Sequence, residues 1–237
     1  MVSEQLVPGV RRLGQPRLMR WLGAVPLGLA LLIGSPSLAA RDGCIVLEDF
    51  ASSPEGAFPE GWKVRKEAGR AVYSVRADGD LRYLHASARD IGIQAARERE
   101  WDLNEYPVLR WKWRPRAFPR DANEQSGKND SALAVYAVFP YSRFAVKSLK
   151  YIWSEQVPKG TPLESSRRLT QALVLESGAP ASRDEWVEEH VDLADDYKRR
   201  FNDSEPPRPL GIAVLTDSDD TNTYAEGDYA EFEACRT

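Results

Sequence analysis

The stretch VLRWKWR, residues 108–114, alternates apolar and basic side chains more clearly than any other part of the chain. Neighbouring side chains of a β-strand point to opposite faces, so Trp111 and Trp113 share one face while Arg110 and Lys112 share the other. The pattern predicts a strand whose tryptophans pack in a core. The basic face, with Arg110 and Lys112, is then expected to line a groove.

Short β-like runs separated by turn residues extend outward from this stretch in both directions. Their composition predicts strands over residues 44–50, 61–64, 71–76, 82–88, 92–96, 108–114, 131–139, 148–153, 170–176, 186–192, 211–217 and 228–232. The runs at 133–136 and 212–215 are continuously apolar, which is typical of central strands buried on both faces. Loops are predicted over 115–130, 140–147 and 156–168, and loops of such length are often functional.

One helix is predicted after Asp192, whose side chain can cap it, with Asp195 completing a capping-box-like pair. Leu193, Tyr197 and Phe201 then fall on one face, and a Pro-Pro pair at 206–207 ends the helix. A dozen strands and a single short helix favour an all-β fold. We therefore expect a two-sheet antiparallel β-sandwich, or jelly roll, as a single domain over residues 40–237.

Residues 1–39 have the pattern of an export signal. Arg17 and Arg20 precede an apolar run over 21–33, and small residues at 37–39 suit a signal peptidase. The run is too short to span a hydrocarbon layer of about 30 Å, so we expect no membrane span after cleavage. The residues before Met19 are either a long n-region or a misassigned start. The protein is therefore expected in the bacterial periplasm or outside the cell.

Cys44 and Cys235, the two cysteines of the chain, lie near the two ends of the expected domain. In an oxidising compartment they are expected to form a disulfide that joins the first strand to the last. The formal net charge is −4, and it is more negative without residues 1–39, which carry four arginines and one glutamate. This sign argues against nucleic acid and anionic lipid as main partners.

The segment TDSDDTNT, residues 216–223, carries the densest group of oxygen ligands. Asp217, Asp219, Asp220 and Asn222 could bind Ca²⁺, the hard cation that such ligands prefer. The segment lacks the glycine and the glutamate of an EF-hand loop, and a solvated turn with Asx hydrogen bonds explains the composition equally well. Calcium is the only cofactor that the sequence suggests.

Two further features point to a ligand site. Lys128 and Asp130 lead into the strand predicted at 131–139, and Trp153 is an aromatic ring that could stack on a sugar face. Enzyme signatures are scarce, because His85 and His190 are the only histidines and no nucleophile elbow or phosphate-binding glycine loop occurs.

An ordered set of motifs resembles a known family. It comprises VLRWKWR at 108–114, KND at 128–130, YIW at 151–153, DY at 196–197 with Phe201, and GIAVLTDSD at 211–219. Together they are similar to the exported bacterial domain-of-unknown-function 3047 family over about residues 44–235. The resemblance implies a jelly roll like those of galactose-binding and carbohydrate-binding modules, without an assigned activity.

The leading hypothesis is a non-catalytic domain that binds an envelope or extracellular polysaccharide or oligosaccharide. Its site is expected to use Lys128, Asp130, Trp153, Asp217 and Asp219, with Arg110 and Lys112 as further contacts. The alternatives are a glycan-processing hydrolase or lyase that uses the Asp cluster, or a structural protein of envelope assembly. Carboxyl separations of about 5–5.5 Å or 6.5–9.5 Å would favour the hydrolase.

Overall fold

Thirteen strands and one α-helix make up most of the chain that the computed structural model describes, residues 43–164 and 168–237. Two short 3₁₀ turns, Glu67–Val72 and Glu124–Ser126, complete these elements. The bounds are β1 Cys44–Glu48, β2 Trp62–Val64, β3 Tyr73–Asp78, β4 Leu81–Arg89, β5 Ala95–Glu98, β6 Val108–Ala117, β7 Leu133–Ser142, β8 Ala145–Ser154, β9 Pro162–Glu164, β10 Thr170–Ser177, β11 Val187–Asp192, α1 Leu193–Phe201, β12 Gly211–Leu215 and β13 Tyr224–Cys235.

The strands form two sheets that pack as a β-sandwich of jelly-roll type, which confirms the predicted fold class. Sheet A has the order β11-β6-β13-β4-β3, with β1 also paired to β13, and sheet B has the order β2-β5-β12-β7-β8-β10-β9. One detail differs from the expected antiparallel arrangement, because β10 pairs with β8 in parallel. The connection over residues 155–169 is long enough for the crossover that a parallel pair requires.

The core lies between the sheets and is rich in aromatic rings. Trp111 and Trp113 on β6 are fully buried there, as the alternation predicted, and the Trp111 ring lies 5.6 Å from that of Tyr151 on β8. Sheet B also has a second apolar face, on the side away from sheet A, that includes Ala134, Ala213 and Leu215. The predicted burial of β7 and β12 on both faces is therefore confirmed.

Helix α1 forms where the capping residues predicted it. The Asp192 carboxylate accepts a hydrogen bond from the Asp195 N–H at 2.8 Å, and Asn202 ends the helix in the left-handed conformation. Its apolar face packs Tyr197 against Phe139 of β7, with the ring centroids 4.7 Å apart. The helix therefore closes one end of the intersheet core.

The disulfide joins Cys44 to Cys235, as predicted. These two residues face each other in the antiparallel pairing of β1 with β13, so the bond fixes the first strand onto the last. A disulfide is typical of proteins that fold outside the reducing cytosol.

All three predicted loops contain regular structure. Residues 140–147 form the tip of the β7–β8 hairpin rather than a loop, because Ser142 pairs directly with Ala145. Pro115 lies inside β6, where a register shift against β13 accommodates a residue without an N–H. The predicted loop 156–168, part of which is outside the described residues, contains β9.

The predicted export signal at 1–39 lies outside the described residues, so it and the choice between Met1 and Met19 stay predictions. No helix within residues 43–164 or 168–237 is both long and apolar enough to cross a membrane.

Candidate functional site

The candidate site lies at one end of sheet B, where three neighbouring strands begin or end. Strand β12 runs antiparallel to both β5 and β7, so its last residues lie beside the first residues of those two strands. Asp217 follows β12, Asp130 precedes β7, and Gly92 precedes β5. The Asp217 N–H donates to the Ser131 carbonyl at 3.0 Å and continues the ladder into the site.

Asp130 is buried and fixes the segment that follows β12. Its Oδ1 accepts a hydrogen bond from the Asp220 N–H at 3.1 Å, and its Oδ2 accepts from the Thr221 N–H at 2.8 Å and from the Thr221 hydroxyl at 2.5 Å. Such charge-assisted bonds are about twice as strong as neutral ones. Asp130 therefore acts as the anchor that holds residues 217–223 at the mouth of the sheet.

Asp217 and Asp219 meet this anchor directly. One carboxylate oxygen from each of Asp130, Asp217 and Asp219 lies within 4.8 Å of the other two. Burial raises the pKa of Asp217 to about 8, and the hydrogen bond and negative charge of Asp219, with the charge of Asp130, add to this rise. Near neutral pH, Asp217 therefore keeps its proton and can donate a hydrogen bond.

Gly92 leaves the space that the Asp217 carboxyl occupies. A Cβ at position 92 would lie 2.2 Å from Asp217 Oδ1 and 3.0 Å from Asp219 Oδ1. Any larger residue would have to push the carboxyl groups out of their present position. Glycine is therefore required here for space.

Lys150 and Tyr136 face the same side of sheet B, and Lys150 supplies the nearby positive charge. They are cross-strand partners, and Lys150 Nζ lies 5.7 Å from the centre of the Tyr136 ring. Burial lowers the pKa of Lys150, but its interactions with Tyr136, which include a hydrogen bond, and with Asp217 raise this pKa by more, so the net shift is upward. Lys150 thus stays protonated beside the acidic cluster.

A cavity of about 300 Å³ adjoins the cluster. It is lined by Arg65, Lys66, Gly92, Ile93, Gln94 and Leu215. Gly92 and Leu215 also border Asp217, so the cavity opens beside the protonated carboxyl. Its volume is at the lower end of the range for small-ligand sites.

Trp153 and Lys128, which were also predicted for the site, are not part of the carboxylate group. Trp153 is only 2 % exposed, and its ring packs 5.6 Å from Trp113 while its Nε1–H donates to the Gly178 carbonyl. Because no face of the ring is open, the predicted stacking of Trp153 on a sugar is corrected. Lys128 is exposed in the loop before Asp130, and its carbonyl accepts from the Asn123 N–H.

Arg110 and Lys112 are on the outer face of sheet A, not at the end of sheet B. Arg110 pairs with Glu233 and Lys112 with Glu231 of the neighbouring strand. Both charges are therefore neutralised by carboxylates of the same sheet, and the prediction that these two residues contact the ligand is corrected.

The predicted calcium ligands are only partly brought together. Among the described residues, Asp217 and Asp219 join Asp130 in one group of carboxylates. Asp220 instead accepts a hydrogen bond from the Asn129 N–H at 3.0 Å, and Asn222 adopts the left-handed conformation of a turn. Calcium binding stays a prediction, with Asp130 in place of Asp220 and Asn222.

Gly92, Lys150 and Tyr136 were not assigned to the site from sequence. Lys150 did offer a signal, because it interrupts an apolar strand that the composition places inside the sheet. Gly92 offered none, since the contact that requires a glycine comes from a residue far along the chain.

A second polar cluster occupies the outer face of sheet A. Asp228 on β13 is buried and accepts hydrogen bonds from Arg114 Nε and Arg116 Nε, both at 2.8 Å, while His85 Nδ1 lies 2.7 Å from its other oxygen. The Arg114 guanidinium also stacks on Trp186 at 4.1 Å. Burial raises the pKa of Asp228, but His85 and the two arginines lower it by more, so the net shift is downward.

Comparison with solved structures finds distant β-sandwich enzymes. Trichoderma harzianum endoglucanase 3 of family GH12 matches over 82 % of this chain and 95 % of its own, at 11 % identity and a TM-score of 0.40. A cellulase derived from Rhodothermus marinus Cel12A matches over 72 % of this chain and 94 % of that one, at 11 % identity and a TM-score of 0.35. Both similarities concern the general fold and carry no argument about activity.

A third match is the glycoside hydrolase domain of Endo-D from Streptococcus pneumoniae R6, at 9 % identity and a TM-score of 0.36. It covers 73 % of this chain but only 21 % of the other. No curated protein matches the sequence. A family profile does match, over residues 60–233, and its description is "Protein of unknown function (DUF3047)". The chain belongs to this family.

Proposed function

We propose that this chain is an exported, non-catalytic domain that binds a glycan at the end of sheet B, in the periplasm or outside the cell. The observation that carries the proposal is the convergence of Asp130, Asp217 and Asp219 beside the cavity that Leu215 and Gly92 border. The disulfide supports the extracytoplasmic location.

The site offers the mixture of groups that a sugar requires. Sugar hydroxyls both donate and accept hydrogen bonds, and one ring face is apolar. The hydrogen-bonded pair of Asp217 and Asp219 supplies oxygen acceptors, while Arg65 and Lys66 supply donors at the cavity. Ile93 and Leu215 provide apolar contact area. A few convergent polar groups around an apolar floor are typical of small-ligand sites.

The spacing of the carboxyl groups favours binding over hydrolysis. Retaining glycosidases separate their two carboxyl groups by about 5–5.5 Å, and inverting ones by about 6.5–9.5 Å, so that the bond to be cleaved fits between them. Here Asp217 and Asp219 hydrogen-bond to each other, and their oxygens lie within 4.8 Å. Two groups that share a proton leave no room for a glycosidic oxygen between them.

One observation favours the second candidate, a glycan-processing enzyme. A carboxyl group that stays protonated near neutral pH has the property required of a general acid, and the pKa of Asp217 is raised to about 8, chiefly by burial. In that case Asp217 would donate its proton to the leaving oxygen, with Asp219 as the neighbouring base.

Calorimetric titration against bacterial polysaccharides, preceded by a glycan array, tests the proposal. Asp219→Ala is expected to weaken binding about ten- to a hundredfold, because it removes a charged acceptor. Gly92→Ala is expected to weaken it similarly without any change of charge, since its Cβ displaces the Asp217 carboxyl. Asp80→Asn, at the exposed turn between β3 and β4, is the matched control and is expected to bind as the unaltered protein does.

Asp217→Asn separates the two candidates. The amide still donates a hydrogen bond but cannot transfer a proton, so a binding domain keeps most of its affinity. An enzyme would keep its affinity and lose its turnover of the same glycan, as followed by release of reducing ends. Absence of binding to every glycan, with unchanged tryptophan fluorescence, would contradict both candidates.

A further inference from the structure

The tip of the β7–β8 hairpin exposes an unusual group of apolar side chains. Phe144 is 91 % exposed, Tyr141 57 % and Val146 44 %, and within the described residues these are the large apolar side chains that face solvent. Single exposed apolar residues are ordinary on protein surfaces. Three on one hairpin, with no others elsewhere in the described ranges, indicate a contact surface.

The hairpin presents these side chains on a short turn. Ser142 and Ala145 are paired, so Arg143 and Phe144 alone make the turn, and the Phe144 N–H donates to the Ser142 hydroxyl at 3.4 Å. The ring of Phe144 projects away from the intersheet core. The ring therefore contributes nothing to core packing, and it can be removed by mutation without loss of that packing.

Basic side chains surround the tip. The Arg143 guanidinium lies 5.5 Å from the centre of the Phe144 ring, and it forms no ion pair within the part of the chain that the structure describes. Lys147 Nζ lies 4.8 Å from the Phe201 ring at the end of α1, which brings the hairpin next to the last turn of that helix. This turn contributes Lys198, Arg199 and Arg200.

The charge of this region differs from that of the whole chain. Arg143, Lys147, Lys198, Arg199 and Arg200 face three carboxylates, Asp195, Asp196 and Asp203, and of these five basic side chains all but Arg143 form an ion pair with one of them. The region is thus net positive, whereas the chain as a whole carries −4. The overall charge argued against an anionic partner, but the local charge at the hairpin favours one.

We propose that the tip formed by Tyr141, Arg143, Phe144 and Val146 docks on an anionic lipid surface. The aromatic and aliphatic side chains would enter the boundary between headgroups and acyl chains, and Arg143 would meet the phosphates. A protein partner requires a complementary surface of about 1,000 Å² or more, which three side chains on a convex turn do not supply. A lipid surface has no fixed shape to match.

Docking in this way is independent of the proposed glycan site and compatible with it. Asp130 precedes β7 and the tip follows it, so the two surfaces lie at opposite ends of a ten-residue strand. Such a strand is roughly 30 Å long. A domain attached through the hairpin would hold the acidic end of sheet B away from the membrane.

Vesicle co-sedimentation tests the proposal, with vesicles of phosphatidylethanolamine and phosphatidylglycerol against vesicles of phosphatidylcholine alone. The protein is purified in the form that the producing cell makes, and every variant is prepared identically, so any contribution of residues 1–42 cancels in the ratio. Phe144→Ala is expected to lower the partition coefficient on anionic vesicles about tenfold. Arg143→Glu is expected to lower it at least as much, because it reverses a charge at the surface.

The controls decide between lipid and other partners. Arg76→Glu reverses an exposed arginine on β3 and is expected to leave partitioning unchanged. An increase of ionic strength from about 0.1 M to about 1 M shortens the Debye length from about 10 Å to about 3 Å and should release the bound protein. Equal partitioning of Phe144→Ala and the unaltered protein, no preference for anionic vesicles, or a dimer that depends on Phe144 would each overturn the proposal.

Discussion

Asp217 and Asp228 are two shielded carboxyl groups of one sandwich whose pKa values shift in opposite directions. Asp217 lies at the end of sheet B, with Asp219 and Asp130 as its nearest charged neighbours. Asp228 lies on the outer face of sheet A and is held by His85, Arg114 and Arg116. Burial raises the pKa of both, yet the net pKa is about 8 for Asp217 and below the ordinary value for Asp228.

The difference shows that neighbours, rather than burial, decide what a shielded carboxyl does. Asp228 stays ionised because two guanidinium groups and an imidazole compensate for the lost hydration. It can then bind β6 and β4 to β13 as a structural centre. Burial and two acidic neighbours outweigh the opposing charge of Lys150 at Asp217, so Asp217 retains a proton. The charge of Asp217 therefore changes as the pH rises towards 8, whereas Asp228 stays ionised over the same range.

The largest expected effect is the loss of stability on replacement of Asp228. Asp228→Ala leaves the buried Arg114 with only the exposed Asp78, 3.5 Å away, as a counter-ion among the described residues, and removal of one partner from a buried ion pair typically costs about 3–5 kcal/mol. Asp217→Asn, by contrast, replaces the protonated carboxyl by an amide of the same shape, and because Asp217 is ionised in the unfolded chain at neutral pH, this variant should raise the free energy of unfolding. Urea unfolding at neutral pH measures both free energies.

His85→Ala offers a graded control for this comparison, because it removes one of the three partners of Asp228 and leaves both arginines. Its cost should lie between those of the two aspartate variants. Equal costs for Asp228→Ala and Asp217→Asn would contradict the assignment of opposite charge states to the two carboxyl groups.

The pH dependence of stability separates the two groups next. The pKa of Asp228 is lowered on folding, so its contribution is complete above about pH 4, the unfolded value, and is lost as the pH falls through the folded value. The pKa of Asp217 is raised to about 8, so its contribution is complete below about pH 4 and is lost as the pH rises towards 8. From pH 5 to 8 the unaltered protein should therefore lose stability relative to Asp217→Asn.

The slope of that relative loss cannot exceed about 1.4 kcal/mol per pH unit, the value for one proton. Chemical unfolding at several pH values measures it. Glu189→Gln is the control, because it removes another carboxyl group with a raised pKa and leaves Asp217 unchanged. Burial and the charge of Glu176 raise the pKa of Glu189 to about 7, at a different place in the sandwich. Parallel curves for the unaltered protein and Asp217→Asn would show that Asp217 is ionised throughout this range.

Local patterns predicted much of the fold. The two-residue alternation around Trp111 placed the tryptophans inside, and Asp192 marked the start of α1 correctly. The same alternation was available for Trp153, since Leu149 and Tyr151 share its face on β8 and both are buried. The predicted sugar contact of Trp153 relied on its residue type, whereas the two-residue alternation of the strand would have placed Trp153 in the core.

Contacts between distant residues could not be predicted in this way. Asp130 and Thr221 are separated by 91 positions, and Arg114 and Asp228 by 114, so no local pattern joins them. Arg110 and Lys112 illustrate the converse, because a basic stripe suggested a groove while the carboxylates that neutralise it belong to β13. The sign of a pKa shift depends on such contacts and therefore required the structure.

The smallest expected effect concerns calcium, which would compete with the proton on Asp217. An extracellular site with a dissociation constant of about 10⁻⁴–10⁻³ M, at a tenfold excess of Ca²⁺, would stabilise the protein by about 1.4 kcal/mol. Because Asp217 must release its proton first, the effect should be larger at about pH 8 than at about pH 6. Thermal unfolding in CaCl₂ and in EDTA at both pH values measures it, with Asp219→Asn as the variant that loses the effect.

Identical curves in the two media at pH 8 would remove calcium and leave Asp217 as a proton-holding carboxyl. A pH-independent calcium shift would instead contradict the raised pKa, and with it the contrast to Asp228.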